Sequence, residues 1–244
     1  MTATSPSAPA GQLLLPGQAA APDGPVDLTL MWLMHRGFRR DLDAFARAAE
    51  RTPVDDRATW QALHRRWELF ATTLHHHHVG EDAGLWPLLL ERVDAAGDTA
   101  GRATLEAMSA EHAGLDHQLA ACSAGFLRLA AEPDERARRV LATQLATVRA
   151  DLGRHLAHEE RDAMRVLQDH LAPADWDRIG KDYFDSAYSP RGLLAVVAWA
   201  LHDLPADALA RLRGVDRMPV LLAVWRLFLR RGFARRERRA FRYA

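Results

Sequence analysis

Two segments of the chain carry the same helical pattern around a His-x-x-x-Glu pair. The pairs are His77 with Glu81 and His155 with Glu159. Apolar residues lie seven and three positions before each histidine and eight and eleven positions after it: Phe70, Leu74, Leu85 and Leu88, and then Val148, Leu152, Ala163 and Val166. Residues at these separations lie on one face of an α-helix. The pattern predicts two helices that each turn a histidine and a carboxylate toward an apolar core.

Two further segments each carry a lone histidine on an apolar stripe. The stripe residues lie at matching offsets: Leu28, Met31, Phe38, Leu42 and Phe45 around His35, and Leu105, Met108, Leu115, Leu119 and Cys122 around His112. From His35 to His77 is 42 residues, and from His112 to His155 is 43. The spacing predicts two copies of one helical hairpin, in which the first helix supplies a histidine and the second a His-x-x-x-Glu pair.

Proline and glycine separate these segments. The breaks lie at Thr52-Pro53, Pro87, Gly97, Glu132-Pro133-Asp134 and Pro173. They predict helices over about 27–51, 102–131 and 135–170, and a helix capped by Asp55 or Asp56 that runs to about residue 79, with a continuation toward residue 86 left open. Long amphipathic helices with short links predict an all-α fold, an antiparallel up-down four-helix bundle over residues 26–171. No segment of useful length has the two-residue period of a strand.

The two ends of the chain differ from this core. Residues 1–25 are rich in Ala, Pro, Gly and Ser, which predicts a disordered leader. Pro190, Pro205 and Pro219 cut residues 172–244 into short pieces, which predicts a helical C-terminal extension packed on the bundle. A lid over the bundle core is a sharper alternative. A membrane-surface anchor formed by residues 219–231, which combine an apolar face with arginines, is another.

The charge is balanced overall but unevenly distributed. The formal net charge is +0, which gives no field that would indicate nucleic acid binding. Residues 211–244 nevertheless contain eleven arginines and two acids, so they favour a basic tail that docks on the acidic remainder of the chain. The single Cys122 excludes an intrachain disulfide. The longest apolar stretch spans about ten residues, whereas a membrane helix needs roughly twenty, so we expect no transmembrane segment and a cytoplasmic location.

The inward positions supply four imidazoles and two carboxylates. They are His35, His77, Glu81, His112, His155 and Glu159. Buried imidazoles and carboxylates are costly without compensation, and a metal ion is the usual compensation. This mixture of ligands suits iron, manganese or zinc, and six ligands exceed what one tetrahedral ion needs. A competing register would use His78 with Asp82 and His158 with Asp162; in the preferred register the other histidines of the run 75–78 are expected at the surface or beside a ligand.

On these residues the chain resembles the hemerythrin-like proteins, the HHE cation-binding family. The matching strings are His35, His77-His78-Val79-Gly80-Glu81-Asp82, Glu111-His112 and His155-Leu156-Ala157-His158-Glu159-Glu160. The resemblance covers about residues 26–171. It implies a four-helix bundle that holds two iron ions in a non-haem di-iron centre, with manganese or zinc less expected. It also implies dioxygen, peroxide or nitric oxide as the partner.

The sequence departs from the oxygen-carrying members of that family. Those members have a His-x-x-x-His on the third helix, whereas the residue four after His112 here is Asp116, followed by His117. The resemblance therefore implies that His35 and His77 serve one iron, and that the other iron lacks a third imidazole. Asp116 or water could replace it. Glu111, Asp116, His117 and Glu160 are candidates for an additional ligand or for a group that orients a ligand.

An open metal position favours reaction over reversible carriage, because exogenous ligands can exchange there. We therefore expect a di-iron oxidoreductase that reacts with dioxygen or peroxide, with an unknown reductant or small-molecule substrate. The alternative is a non-catalytic protein that binds or senses dioxygen or nitric oxide, or that buffers iron. Met31, Phe38 and Met108 are candidates to line a small apolar pocket.

Overall fold

A computed structural model of the chain describes residues 11–212 and 218–244. In these ranges the regular structure is helical and no strand occurs, which confirms the all-α class. The α-helices are α1 (Thr29–Arg51), α2 (Arg57–Gly80), α3 (Trp86–Ala96), α4 (Thr99–Ala131), α5 (Glu135–His158), α6 (Met164–His170), α7 (Pro173–Ile179), α8 (Pro190–Ala200), α9 (Ala206–Leu212), α10 (Met218–Val224) and α11 (Arg230–Ala240). Five-residue π-helical turns lie at Glu81–Leu85, Glu159–Ala163, Gly180–Phe184 and Trp225–Leu229, and a 3₁₀ turn at Asp185–Ala187.

The four long helices α1, α2, α4 and α5 enclose the core. Helix α1 packs on α5, α2 packs on α4, and α4 packs on α5. Aspartates start three of them by accepting a backbone N–H three residues on, with Asp56 before α2, Asp98 before α4 and Asp134 before α5. Their apolar faces meet in one continuous cluster of buried side chains. Helices are thus present at the four predicted segments, and their apolar stripes face inward.

Pro87 does not end the second helix. It lies in the first turn of α3, directly after the π-helical turn, where the missing N–H of a proline is tolerated. The helical path therefore continues to Ala96, and Gly97 ends it in the left-handed conformation with φ 70°.

Residues 11–25 pack against the bundle, which differs from the expectation of a disordered leader. The side chains of Leu13 and Leu15 are buried. The amide of Ala19 donates a hydrogen bond of 2.6 Å to Glu160 Oε2. Residues 1–10, the rest of that predicted leader, lie outside the described part of the chain.

The C-terminal extension docks on the bundle through glycines. The close approaches are Trp199 at Gly37, Phe184 at Gly80 and Tyr183 at Gly84, where an added Cβ would lie 2.6, 2.7 and 2.5 Å from the aromatic ring. A Cβ is not accommodated at such distances unless the ring moves. The glycines on α1, on α2 and in the first π-helical turn therefore allow the extension to lie directly on the bundle.

Gly37→Ala should test this docking. We expect it to lower the free energy of unfolding by about 1–3 kcal/mol, the usual cost of overpacking. Trp199 cannot easily withdraw, because its Nε1 donates a 2.6 Å hydrogen bond to the buried Asp41. Gly114→Ala is the matched control, since nothing lies within 4 Å of its added Cβ, and the better helix propensity of alanine should stabilise it by up to about 1 kcal/mol. Equal effects of the two variants in urea unfolding would contradict the docking.

A buried ion-pair network also ties the extension to the bundle. Arg66 of α2 lies between Asp41 of α1, at 2.6 Å, and Glu237 of α11, to which its Nε donates. The pairing is the reverse of the predicted one, because here an acid of the basic tail meets an arginine of the bundle. The side chains that the tail buries include Phe233 and Glu237, whereas most of its arginines are exposed to solvent.

Among residues 11–212 and 218–244, no helix combines the length and the apolar content that crossing a bilayer requires.

Candidate metal centre

Seven buried side chains converge in the bundle core as two adjoining clusters. We name them the two-histidine cluster, formed by His35, His77, Glu81 and Glu159, and the three-histidine cluster, formed by His78, His112 and His155. Within each cluster the potential ligand atoms lie within 4.8 Å of one another. All seven residues are at most 3 % exposed. The structure thus brings together the six residues predicted from the sequence and adds His78.

The two carboxylates join the clusters. Glu81 Oε1 lies 3.1 Å from His77 Nε2, and Glu81 Oε2 lies 3.5 Å from His112 Nε2. Glu159 Oε2 lies 3.3 Å from His35 Nε2 and 3.7 Å from His155 Nε2. Each carboxylate therefore faces imidazole nitrogens of both clusters, as a bridging ligand between two ions would.

Both carboxylates begin a π-helical turn. The N–H of Trp86 donates to the carbonyl of Glu81, and the N–H of Met164 donates to that of Glu159, five residues back in each case. The wider turn shifts the inward face by one residue, so Leu89 is fully buried where the sequence pattern predicted Leu88, which is half-buried. Single π-helical turns inside α-helices are frequent at functional sites.

Acidic side chains orient three of the imidazoles from behind. Nδ1 of His35 lies 3.0 Å from Glu160, Nδ1 of His112 lies 3.0 Å from Asp82, and Nδ1 of His155 lies 2.8 Å from Glu111. A carboxylate only accepts hydrogen bonds, so each Nδ1 donates and each Nε2 is left to face the core. Such partners fix the ring orientation of a metal-binding histidine.

Glu160 and Glu111 are themselves held in place. Arg39 contacts Glu160 through both terminal nitrogens, at 2.6 and 2.9 Å. Glu111 accepts a second hydrogen bond of 2.9 Å from His158 Nδ1. Both glutamates thus contact the outward Nδ1 atoms of the imidazoles, which matches one of the two roles expected from the sequence, that of a group that orients a ligand.

Many polar atoms at the centre have no hydrogen-bond partner. They are both oxygens of Glu81 and of Glu159, both ring nitrogens of His78, and Nε2 of His112 and of His155. Each unpaired buried group costs about 1–3 kcal/mol, and native cores contain few of them. Imidazole nitrogens and carboxylate oxygens are suitable ligands for iron, manganese or zinc. The residues fit bound cations of this kind, which would satisfy these atoms.

The imidazole protonation states are split by their surroundings. Burial lowers the pKa of His77 and of His78 well below the ordinary value, and the neighbouring imidazoles add to the effect. Burial also lowers the pKa of His35, but the carboxylates of Glu159 and Glu160 outweigh it and raise that pKa to about 9. His77 and His78 are thus neutral near pH 7 and keep a lone pair for a cation.

The two carboxylates are shifted in opposite directions. Burial raises the pKa of Glu81 well above its usual range, and the charge of Glu159 raises it further. Burial also raises the pKa of Glu159, but His35 and His155 more than offset this effect and lower the pKa overall. Two carboxylates that share a buried site resist double ionisation unless cations accompany them.

His78 is the core histidine that the preferred register missed. It was expected at the surface or beside a ligand, yet its ring is buried and stacks on His112 with the centroids 4.0 Å apart. The tandem His77-His78 was the available signal. Adjacent residues project about 100° apart on a helix, so they cannot serve one ion easily but can face two neighbouring ones.

Other candidates from the sequence lie away from the centre. Asp116 and His117 are exposed, because the outer face of α4 carries them, so neither replaces a third imidazole. In the competing register, Asp82 orients His112 instead of lying in the core. His158 is half-buried and bonded to Glu111, and Asp162 is exposed.

Aromatic side chains surround the two-histidine cluster. The ring of Phe38 lies 5.2 Å from that of His77, and Trp32 lies 6.1 Å from His35, measured between centroids. Phe184 of the extension lies 6.2 Å from His77. The predicted pocket residues Met31, Phe38 and Met108 are all buried. The extension therefore contributes directly to the apolar surroundings of this cluster.

The sequence model of one family, the hemerythrin HHE cation binding domain, matches residues 26–167, which is more than half of the chain. The chain belongs to this family. No curated protein and no solved structure matched the sequence. The match includes every member of the two clusters and ends within α6, so the C-terminal extension of this hemerythrin-like chain lies outside it. The family is described as cation-binding, and the two clusters in the core could hold metal. The two findings therefore agree.

Proposed function

We propose that this hemerythrin-like chain holds two iron ions, one in each cluster, and binds dioxygen or a molecule of similar size, such as nitric oxide, reversibly. One observation carries the proposal: Glu81 and Glu159 each face imidazoles of both clusters at 3.1–3.7 Å. Two ions that share two carboxylates would neutralise a core that otherwise buries two acids. Iron, in preference to manganese or zinc, is what the family resemblance implies.

The proposal includes the finer fold. The link between α1 and α2 spans residues 52–56, and that between α4 and α5 spans residues 132–134. Links this short join antiparallel neighbours. In an antiparallel up-down bundle of α1, α2, α4 and α5, each hairpin would bring two helices to the site. One helix would carry a lone histidine and the other a His-x-x-x-Glu pair, as the repeat in the sequence predicts.

His78 changes the balance between carriage and catalysis. The apparent lack of a third imidazole was the reason to expect an oxidoreductase. The structure supports three imidazoles on one side and two on the other, so the ligand set resembles that of the oxygen-carrying members. If Glu81 and Glu159 serve both ions, the two-histidine side supplies four protein ligands and the three-histidine side five, so we assign the exogenous ligand to the two-histidine side. Reduced iron there would supply the electrons and the coordination positions that dioxygen binding requires.

The chain's own residues would protect that ligand. Trp32, Phe38 and Phe184 surround the two-histidine cluster with apolar surface, which excludes water and slows the loss of charged products. Glu160 orients His35 from behind, and Arg39 neutralises Glu160. These groups hold the imidazoles in place without offering a general acid or base directly to the ligand, an arrangement that favours binding over turnover.

A di-iron oxidoreductase is the second candidate, and one observation favours it. A surface groove of about 420 Å³ between α4 and α5 reaches His155 of the three-histidine cluster. Glu111 and His158 also line it. A small reductant or substrate in this groove would lie next to a candidate ligand, so electrons could enter there and sustain turnover.

Reaction of the reduced, iron-loaded full chain with dioxygen, nitric oxide and hydrogen peroxide separates the two functions. Reversible binding predicts a stoichiometric change in the optical spectrum that purging reverses, with no continuing consumption of reductant. Sustained consumption of dioxygen or peroxide would establish the oxidoreductase instead. Absence of any spectral change with all three would contradict both. His75→Ala is a matched control, because His75 is exposed in the same histidine run.

A further inference from the structure

The second face of the C-terminal extension is apolar and open. The π-helical turn after α10 packs on α8, and the side chains of Leu222 in α10 and Trp225 in the turn are buried. The opposite side exposes Val220, Leu227 and Phe228, each by 68–75 %. Val220 lies in α10, and Leu227 and Phe228 lie in the π-helical turn that follows it. Large apolar side chains that are this exposed and this close together in the chain often mark an interaction surface.

Arginines surround this apolar face. Among residues 218–244, seven exposed arginines have no carboxylate within salt-bridge distance: Arg226, Arg230, Arg231, Arg235, Arg236, Arg238 and Arg239. Arg230 and Arg236 instead lie over the aromatic rings of Trp225 and Phe233. The acid nearest in sequence, Glu237, is buried against Arg66 and cannot neutralise them. The surface therefore keeps a strong positive charge.

We propose that α10, the π-helical turn Trp225–Leu229 and α11 bind an anionic lipid surface. Leu227 and Phe228 would enter the boundary between headgroups and acyl chains, and the arginines would contact the phosphates. Both features are required for stable interfacial binding, since apolar burial and attraction to anionic lipid act together. A nucleic acid would also attract the arginines, but its phosphates would leave Val220, Leu227 and Phe228 in water. The exposed apolar residues thus select the lipid.

Sedimentation of the full chain with vesicles tests the proposal. We expect binding to phosphatidylcholine vesicles that contain phosphatidylserine, weaker binding to phosphatidylcholine alone, and loss of binding as salt rises. The double variant Leu227→Ser, Phe228→Ser should weaken binding about tenfold or more, since it removes two apolar side chains from the interface. Arg226→Gln, Arg230→Gln and Arg231→Gln together should weaken it by a similar or larger factor, because each arginine near an anionic surface contributes roughly fivefold.

Variants on α4 and α5, which are outside the proposed surface, serve as controls. Leu127→Ser with Val140→Ser removes two exposed apolar side chains of α4 and α5, and Arg139→Gln, Arg149→Gln and Arg154→Gln remove three exposed charges. Neither control should change vesicle binding by more than about twofold. Binding that the controls weaken equally would overturn the proposal, as would no binding to anionic vesicles. Tight binding to single-stranded DNA that is insensitive to Leu227→Ser, Phe228→Ser would overturn it in favour of a nucleic acid partner.

Discussion

His78→Ala should reduce the iron content from about two ions per chain to about one. The variant removes one of the three imidazoles that define the three-histidine cluster, whereas the two-histidine cluster keeps both of its imidazoles and both carboxylates. The exposed neighbour provides the control, since His75→Ala should leave both ions in place. His35→Ala should also lower the iron content to about one, but by emptying the other cluster. Metal analysis of the purified full chain measures all three.

The location of the remaining ion gives the sharper result. The ion left in His78→Ala would have His35 and His77 as its imidazoles, and the ion left in His35→Ala would have the three-histidine cluster. The two variants should therefore lose different Mössbauer signals. Circular dichroism should show that each remains helical. Full iron content in folded His78→Ala would show that the ring is not a ligand, and the argument for reversible binding would then fail.

Arg66→Met should lower the free energy of unfolding by about 3–5 kcal/mol, because it leaves the carboxylate of Asp41 buried without its main cation. Asp41 is 1 % exposed and lies 2.6 Å from Arg66. The guanidinium also packs over Phe45 and Phe233, at 5.9 and 5.6 Å from the ring centroids. Arg65→Met is the control; its side chain is exposed, so the change should stay within about 0.5 kcal/mol.

The same pair has a defined pH dependence. Burial raises the pKa of Asp41, but Arg66 and Arg40 outweigh that effect and hold the pKa below its usual range. A depressed folded-state pKa stabilises the fold fully above the unfolded value, about 3.9, and this contribution is lost as the pH falls through the folded-state pKa. Arg66→Met should therefore be most destabilising at neutral pH and lose that difference in acid. An equal difference at neutral and acid pH, measured by urea unfolding, would contradict the ion pair.

The helices and most of the site follow from the periodicity of the sequence. Apolar residues at helical spacing around His35, His77, His112 and His155 fix which face of each helix is buried, and inward histidines must then meet in the core. Helix periodicity is a local property, and the duplicated spacing adds information about partner helices. The all-α class and the six predicted residues at the centre depend on these two patterns alone.

What the sequence did not predict depends on contacts between distant residues. The π-helical turn after Gly80 is not visible in a pattern that assumes a constant turn, so Leu88 was placed one residue out of register. Burial of His78 depends on the space beside His112, which no local pattern reports. The packing of residues 11–25 on the bundle involves a hydrogen bond from Ala19 to Glu160, which is 141 residues away in the sequence. Glycines such as Gly37 indicate a close approach, but only the structure identifies Trp199 as the neighbour.

Mössbauer spectroscopy combined with iron analysis is the most direct test of the two-cluster site. The full chain would be produced with the Mössbauer-active iron isotope and purified in air. We predict about two iron ions per chain. Their environments should be inequivalent, because one cluster supplies two imidazoles and the other three, and magnetically coupled, because the ions would share two carboxylates. A single iron ion, uncoupled ions or a folded chain that retains no iron would contradict the assignment of these seven side chains to a shared pair of ions.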